Sequence, residues 1–164
     1  MQTIRIETWI NAPLDRCFDA ARDLDLHMKS VSHTGERAVR GRTSGLIEAG
    51  EEVTWQARHF GIAQEFTSRI TTFQRPDYFQ DAMQRGAFKS FVHDHEFRLE
   101  NGGTRMVDFL AFAAPLGILG LIAETLVLRR YLTKLLHLRA AAIKEAAEDY
   151  DCAARWPMNG KLIF

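Results

Sequence analysis

The stretch Phe91 to Ala114, F-V-H-D-H-E-F-R-L-E-N-G-G-T-R-M-V-D-F-L-A-F-A-A, constrains the fold more than any other part of the chain. It reads as a long β-hairpin. Phe91, His93, His95, Phe97 and Leu99 share one face by the period of two, and Val92, Asp94, Glu96, Arg98 and Glu100 take the other. Asn101 and Gly102 suit the two central positions of a type I′ turn, both of which need positive φ, so Glu100 pairs with Gly103. Register follows from the turn: Phe97 faces Met106, His95 faces Asp108, His93 faces Leu110 and Phe91 faces Phe112. The resulting face is apolar except for two imidazoles and one carboxylate.

The rest of the chain supplies material to cover that face. At 164 residues it is long enough for one domain with a real core and too short for two ordinary ones. Its 46% hydrophobic and 26% charged residues exclude a disordered chain, and zero net charge gives nucleic acid no global attraction. Cys17 and Cys152 stand far apart and match no metal-ligand spacing, which points to a reduced, cytoplasmic protein. The N-terminal M-Q-T-I-R-I-E-T-W-I alternates like a strand and lacks the pattern of a signal peptide.

Thr3 to Ile10 is expected to open the fold as a strand, with either Ile4, Ile6 and Thr8 or Arg5, Glu7 and Trp9 inward. Pro13 suits the first turn of a helix carrying Phe18, Ala21 and Arg22, and Asp23 to Val31 supplies a second short helix. Glu36 to Arg40 is a candidate strand. Glu52 to His59 alternates, and a turn at Phe60-Gly61 sets Trp55 opposite Phe66 in a strand running to about Phe73. Tyr78 to Arg85 precedes the hairpin, so four strands follow one another as antiparallel neighbours. After Pro115 the period changes to that of a helix, expected from Leu116 to about Tyr150, with a stripe of Leu128, Leu132, Leu135, Arg139 and Ala142. Its apolar first half falls short of the ~20 residues a bilayer requires and contains Glu124. Residues 1–150 thus read as one domain and 151–164 as a tail of uncertain docking.

This order of elements resembles the helix-grip domain of the START-like superfamily, also called SRPBCC. The phrases G-E-E-V-T-W-Q-A-R-H-F-G (Gly50 to Gly61), G-A-F-K-S-F-V-H-D-H-E-F (Gly86 to Phe97), G-G-T-R-M-V-D-F-L-A-F-A-A-P-L-G (Gly102 to Gly117) and L-R-R-Y-L (Leu128 to Leu132) are similar to a bacterial branch whose members are labelled polyketide cyclase or ligand-binding proteins. The resemblance implies an α+β fold: a curved antiparallel sheet, two short N-terminal helices and one long C-terminal helix closing a cavity. It also implies apolar ligands such as lipids, isoprenoids or polyketides. The residue pattern agrees in part, since Trp55, Phe66, Phe91, Phe97, Met106, Leu110 and Phe112 can share one sheet face, with His59 beside Trp55.

His93, His95 and Asp108 are the candidate catalytic residues. Asp108 can fix the tautomer of His95 and leave its other nitrogen to move a proton near neutral pH. The competing reading, ranked first, is a pair of buried polar groups that satisfy each other. His-x-His invites a metal with His59, Asp108 or Asp81 as third ligand, but no metal and no cofactor are expected. Tyr78, Asp81 and Arg85 are candidates for the cavity mouth. No nucleophile elbow, phosphate-cradling glycine loop or CxxC pair is present in the sequence.

The first expectation is therefore binding of a hydrophobic or amphipathic small molecule. A cofactor-independent cyclase using His95 or His93 with Asp108 comes second, and a protein-interaction domain third. Arg129, Arg130 and Lys134 fit transient contact with an anionic membrane surface as well as a solvated helix face. Monomer and homodimer both stay open.

Overall fold

The computed structural model describes residues 1–59, 61–114 and 127–149, without the side chain of His59. Seven strands form one curved antiparallel sheet: β1 (Gln2–Ile10), β2 (Arg37–Gly41), β3 (Glu52–His59), β4 (Ile62–Gln74), β5 (Tyr78–Arg85), β6 (Ser90–Glu100) and β7 (Gly103–Ala113). Their order is β1-β7-β6-β5-β4-β3-β2. Two short helices, α1 (Leu14–Ala21) and α2 (Leu24–Ser30), precede β2, and a long helix, α3 (Arg129–Glu148), follows β7.

The β6–β7 hairpin has the expected register, including Phe97↔Met106, His95↔Asp108, His93↔Leu110 and Phe91↔Phe112. Asn101 and Gly102 take φ of 52° and 78°, as a type I′ turn requires. Leu99 keeps this register yet is 73% exposed, because it lies beyond the covered part of the sheet. In β1 the inward residues are Ile4, Ile6 and Ile10, and Trp9 is left outside to donate its indole N–H to the Glu100 carbonyl. β3 and β4 pair Trp55 with Phe66.

Asp23 caps α2, its carboxylate accepting from the backbone N–H groups of Asp25 at 2.8 Å and Leu26 at 3.0 Å. The first helix covers one end of the sheet through Phe18, which meets Phe73, Phe79 and Phe97 edge-on at centroid distances of 5.3, 5.4 and 5.5 Å. Leu136, Ala140, Ile143 and Ala147 of α3 are buried, while Leu132, Leu135, Arg139 and Ala142 are half-buried beside them. The expected stripe therefore lies about one residue round the helix from the packed one. α3 packs on β1, α1 and α2. The expected start of this helix at Leu116 and the tail 151–164 lie outside the described residues. Among the described residues no helix is long and apolar enough to cross a membrane.

Buried apolar residues fall into two clusters. One joins α1, α2 and the lower part of α3 to Ile10, Phe79, Phe97 and Met106; the other gathers Ile4, Ile6, Leu110, Phe112 and Leu136. The space where neither closes completely is the cavity.

Candidate functional site

A cavity of ≈ 340 Å³ lies between the sheet and α3. Its wall is mainly apolar. The sheet contributes Val53, Trp55, Ala57, Phe66, Ile70, Phe79, Phe91 and Leu110, and α3 contributes Leu132, Leu135 and Leu136. Of the expected ligand-binding residues Trp55, Phe66, Phe91 and Leu110 line this cavity, and of the candidate catalytic residues His93 does. Phe97, Met106 and Phe112 do not: they are fully buried in packed core, the first two beneath α1 and the third in the cluster around Ile4. The reason is that alternation assigns a face of the sheet, and the covering elements then decide which part of that face is filled. His59 ends β3 opposite Ile62.

Among the polar side chains that interrupt the wall are two groups of titratable residues. In the first, His27 of α2 stacks obliquely on Trp55 at 4.5 Å and places Nε2 2.5 Å from Glu36 Oε1. Tyr131 of α3 belongs beside them: burial raises its phenol pKa, with the Glu36 charge adding to the effect. The sequence reading missed this group because its members come from three separate elements.

The second group is set by three adjacent strands. Register pairs Asp81 of β5 with His93 of β6, and His95 of β6 with Asp108 of β7, so the four side chains share the inner face. His95 Nδ1 lies 2.8 Å and His93 Nε2 3.1 Å from the same oxygen, Asp108 Oδ1. The other nitrogens face Asp81 Oδ1, at 3.3 Å from His95 Nε2 and 3.8 Å from His93 Nδ1. The contacts with Asp108 are close but poorly directed, so His93 Nε2, His95 Nδ1 and Asp108 Oδ1 lack an aligned hydrogen bond. Phe79 stacks on the His95 ring at 4.1 Å.

Electrostatics divide the two histidines. Burial lowers the pKa of His93, and the charge on His95 lowers it further, outweighing Asp108 and Asp81. Burial opposes charge on His95 too, but its contacts with Asp108 and Asp81 prevail and raise its pKa. Both carboxyls resist the upward push of burial because the imidazoles face them; Asp81 and Asp108 are held below the ordinary carboxylate value. His95 is fully enclosed, whereas His93 and Asp81 line the cavity. Arg139 lines it as well, donating to the Ala21 carbonyl at 2.8 Å and acting electrostatically on Asp81.

Asp81 is the member whose facing the sequence left undetermined. Tyr78, expected with it at the mouth, instead lies on the outer face and donates to Asp94. Arg85 is exposed. A register shift between Thr67↔Arg85 and Ser68↔Met83 leaves Gln84 as the extra residue, and alternation cannot be carried across it. Asp81, His93 and His95 also offer three donor atoms within 4.8 Å of one another, an arrangement of described residues that could hold a metal ion.

No family model and no curated protein matches the chain. Solved structures do. The protein TTHA0849 from Thermus thermophilus superposes with a TM-score of 0.69 at 20% identity, over 89% of this chain and 99% of that one. KanY gives 0.67 at 15% over 91% and 100%, and the ginseng major latex-like protein 151 from Panax ginseng gives 0.66 at 13% over 90% and 98%. Such identities speak for the fold. The chain has the helix-grip fold, a curved antiparallel sheet and a long helix arranged around a cavity.

Proposed function

We propose that this protein binds a hydrophobic or amphipathic small molecule in the cavity between its sheet and α3. The observation that carries the reading is the cavity itself, whose ≈ 340 Å³ is bordered mainly by apolar side chains with a minority of polar ones. Pockets that hold small organic molecules occupy roughly 300–1,000 Å³ and use few polar groups to set orientation. The His27–Glu36–Tyr131 and Asp81–His93–Arg139 groups are suited to that orienting role. A lipid, an isoprenoid or a polyketide-like ring system has the required chemistry.

The test is direct. Solvent extracts of the purified protein are examined by mass spectrometry, and the protein is titrated with fatty acids, isoprenoid quinones and aromatic polyketides while Trp55 fluorescence is followed. Saturable binding of one molecule per chain is expected; no binding from any of these classes would refute the proposal.

His93 favours a second reading, cofactor-independent cyclisation or dehydration. Its ring borders the cavity, burial lowers its pKa, and Nε2 lies 3.1 Å from Asp108, an arrangement suited to proton transfer with a bound carbonyl compound. Within this reading His93 displaces His95, which is fully enclosed and held between two carboxylates. With a confirmed substrate, His93→Ala is expected to lower kcat by about 100-fold or more. Unchanged turnover in that variant eliminates the reading.

A further inference from the structure

We infer that Asp81, His93 and His95 form a binding site for one divalent transition-metal ion at the wall of the cavity. The inference goes beyond ligand binding and stands or falls apart from it.

Asp108 faces one nitrogen of each ring, His93 Nε2 at 3.1 Å and His95 Nδ1 at 2.8 Å, with no aligned hydrogen bond to either. A neutral ring that turns its proton to Asp108 offers its other nitrogen, His93 Nδ1 or His95 Nε2, as a lone-pair donor to an ion that replaces the present His95 Nε2–Asp81 contact. These are the two nitrogens that face Asp81 Oδ1, at 3.8 and 3.3 Å. Two nitrogen lone pairs and a carboxylate oxygen converge, and all three donors lie within 4.8 Å of one another. Metal–ligand bonds of about 2.1 Å place neighbouring donors of a tetrahedral zinc site roughly 3.4 Å apart. The observed separations from Asp81 bracket that value.

The surroundings fit the same role. Metal-bound histidines ordinarily direct their second nitrogen to a carboxylate, which fixes the tautomer and strengthens the ligand. Here one buried carboxylate faces both rings, and its oxygen and the two ring nitrogens beside it are the poorly satisfied atoms of the cluster. Bringing both rings onto an ion gives them cause to align. The ligands come from β5 and β6 in the interior of the sheet, a rigid support. Asp81 and His93 border the cavity, so an ion can enter there and its remaining coordination positions face whatever occupies the cavity. Two imidazoles and one carboxylate suit zinc, cobalt or iron in the divalent state and not calcium or magnesium. The Arg139 charge opposes a cation, but its guanidinium is tied to the Ala21 carbonyl.

The experiment uses the full chain after chelator treatment and desalting. It is titrated with Zn²⁺ by calorimetry and with Co²⁺ by visible absorption. One ion per chain and the d–d bands of nitrogen-ligated Co²⁺ are expected. Asp81→Ala and His93→Ala should each weaken binding by at least about 10-fold, and Asp108→Asn by roughly 10-fold. His137→Ala, at an exposed position on α3, should leave it unchanged. Circular dichroism confirms that each variant is folded. Failure of the folded wild type to bind either ion overturns the inference, and that result does not depend on any variant. Full-strength binding by folded Asp81→Ala, or its loss in His137→Ala, overturns it equally and identifies adventitious surface binding. Apolar-ligand titrations on the same chelated protein test the cavity separately.

Discussion

Asp108 faces both buried imidazoles of the cluster. Its carboxyl is held well below the ordinary 3.8 because two imidazoles outweigh the effect of burial. A carboxyl depressed in the folded state stabilises above its unfolded pKa, and that contribution disappears as pH falls. His95 runs the other way. Its folded pKa is raised above 6.5, so its contribution is complete below that value and is lost as pH rises through the folded one. His93, with its pKa lowered, erodes stability as pH falls below 6.5. Metal-free protein is thus expected to be most stable near neutrality, declining on the acid side through His93 and then Asp81 and Asp108, and on the alkaline side through His95. Asp108→Asn should cost about 3 kcal/mol at neutral pH, since it removes the carboxylate that faces two buried imidazoles. It should also move the alkaline decline to lower pH. Urea unfolding from ~pH 3 to ~pH 9 measures both; an unaltered pH profile in the variant would remove Asp108 from its assigned role. The His95–Asp108 pair was legible in the sequence because the Asn101-Gly102 turn fixes its register. The partnership of both histidines with Asp81 was not, since the register shift in β5 and the absence of a diagnostic turn hide its phase.

At the scale of elements, α1 and α3 divide the sheet's inner face into packed and unpacked parts. Phe18 sits against three other phenylalanines and is fully buried, so Phe18→Ala should destabilise by roughly 3–5 kcal/mol. Leu132 is half-buried on α3 and borders the cavity, so its side chain has fewer neighbours to lose. Leu132→Ala should cost only about 1–2 kcal/mol. Denaturant unfolding of the two variants measures the contrast, and equal losses would mean that the cavity is closed around Leu132 in solution. Strands and helices were readable from periodicity and turn chemistry. The division of labour between Phe97 and Phe91 was not, because both obey the same alternation and differ only in what lies above them.

For the whole molecule, the decisive quantity is the separation between sheet and helix, which no local sequence pattern encodes. Whereas Phe97, Met106 and Phe112, expected on the same wall from the sequence, are packed in the core, Trp55 and Phe66 border the cavity. If that space is the binding site, filling it should abolish binding without harming the fold. Ala57 offers the place: it is a small residue on the cavity wall, two positions along β3 from Trp55 and therefore on the same face. A phenylalanine there points its ring into the cavity, where it covers apolar surface that the ligand would otherwise cover. Ala57→Phe is expected to melt at or above the wild-type temperature. Its affinity for an apolar ligand bound by the wild type should fall about 10-fold or more, equivalent to roughly 1.4 kcal/mol. Saturating ligand at about 100 times its Kd should stabilise the wild type by ~2.7 kcal/mol and the variant by much less, which a thermal shift assay resolves. A folded Ala57→Phe that binds as tightly as the wild type would place the ligand outside this cavity.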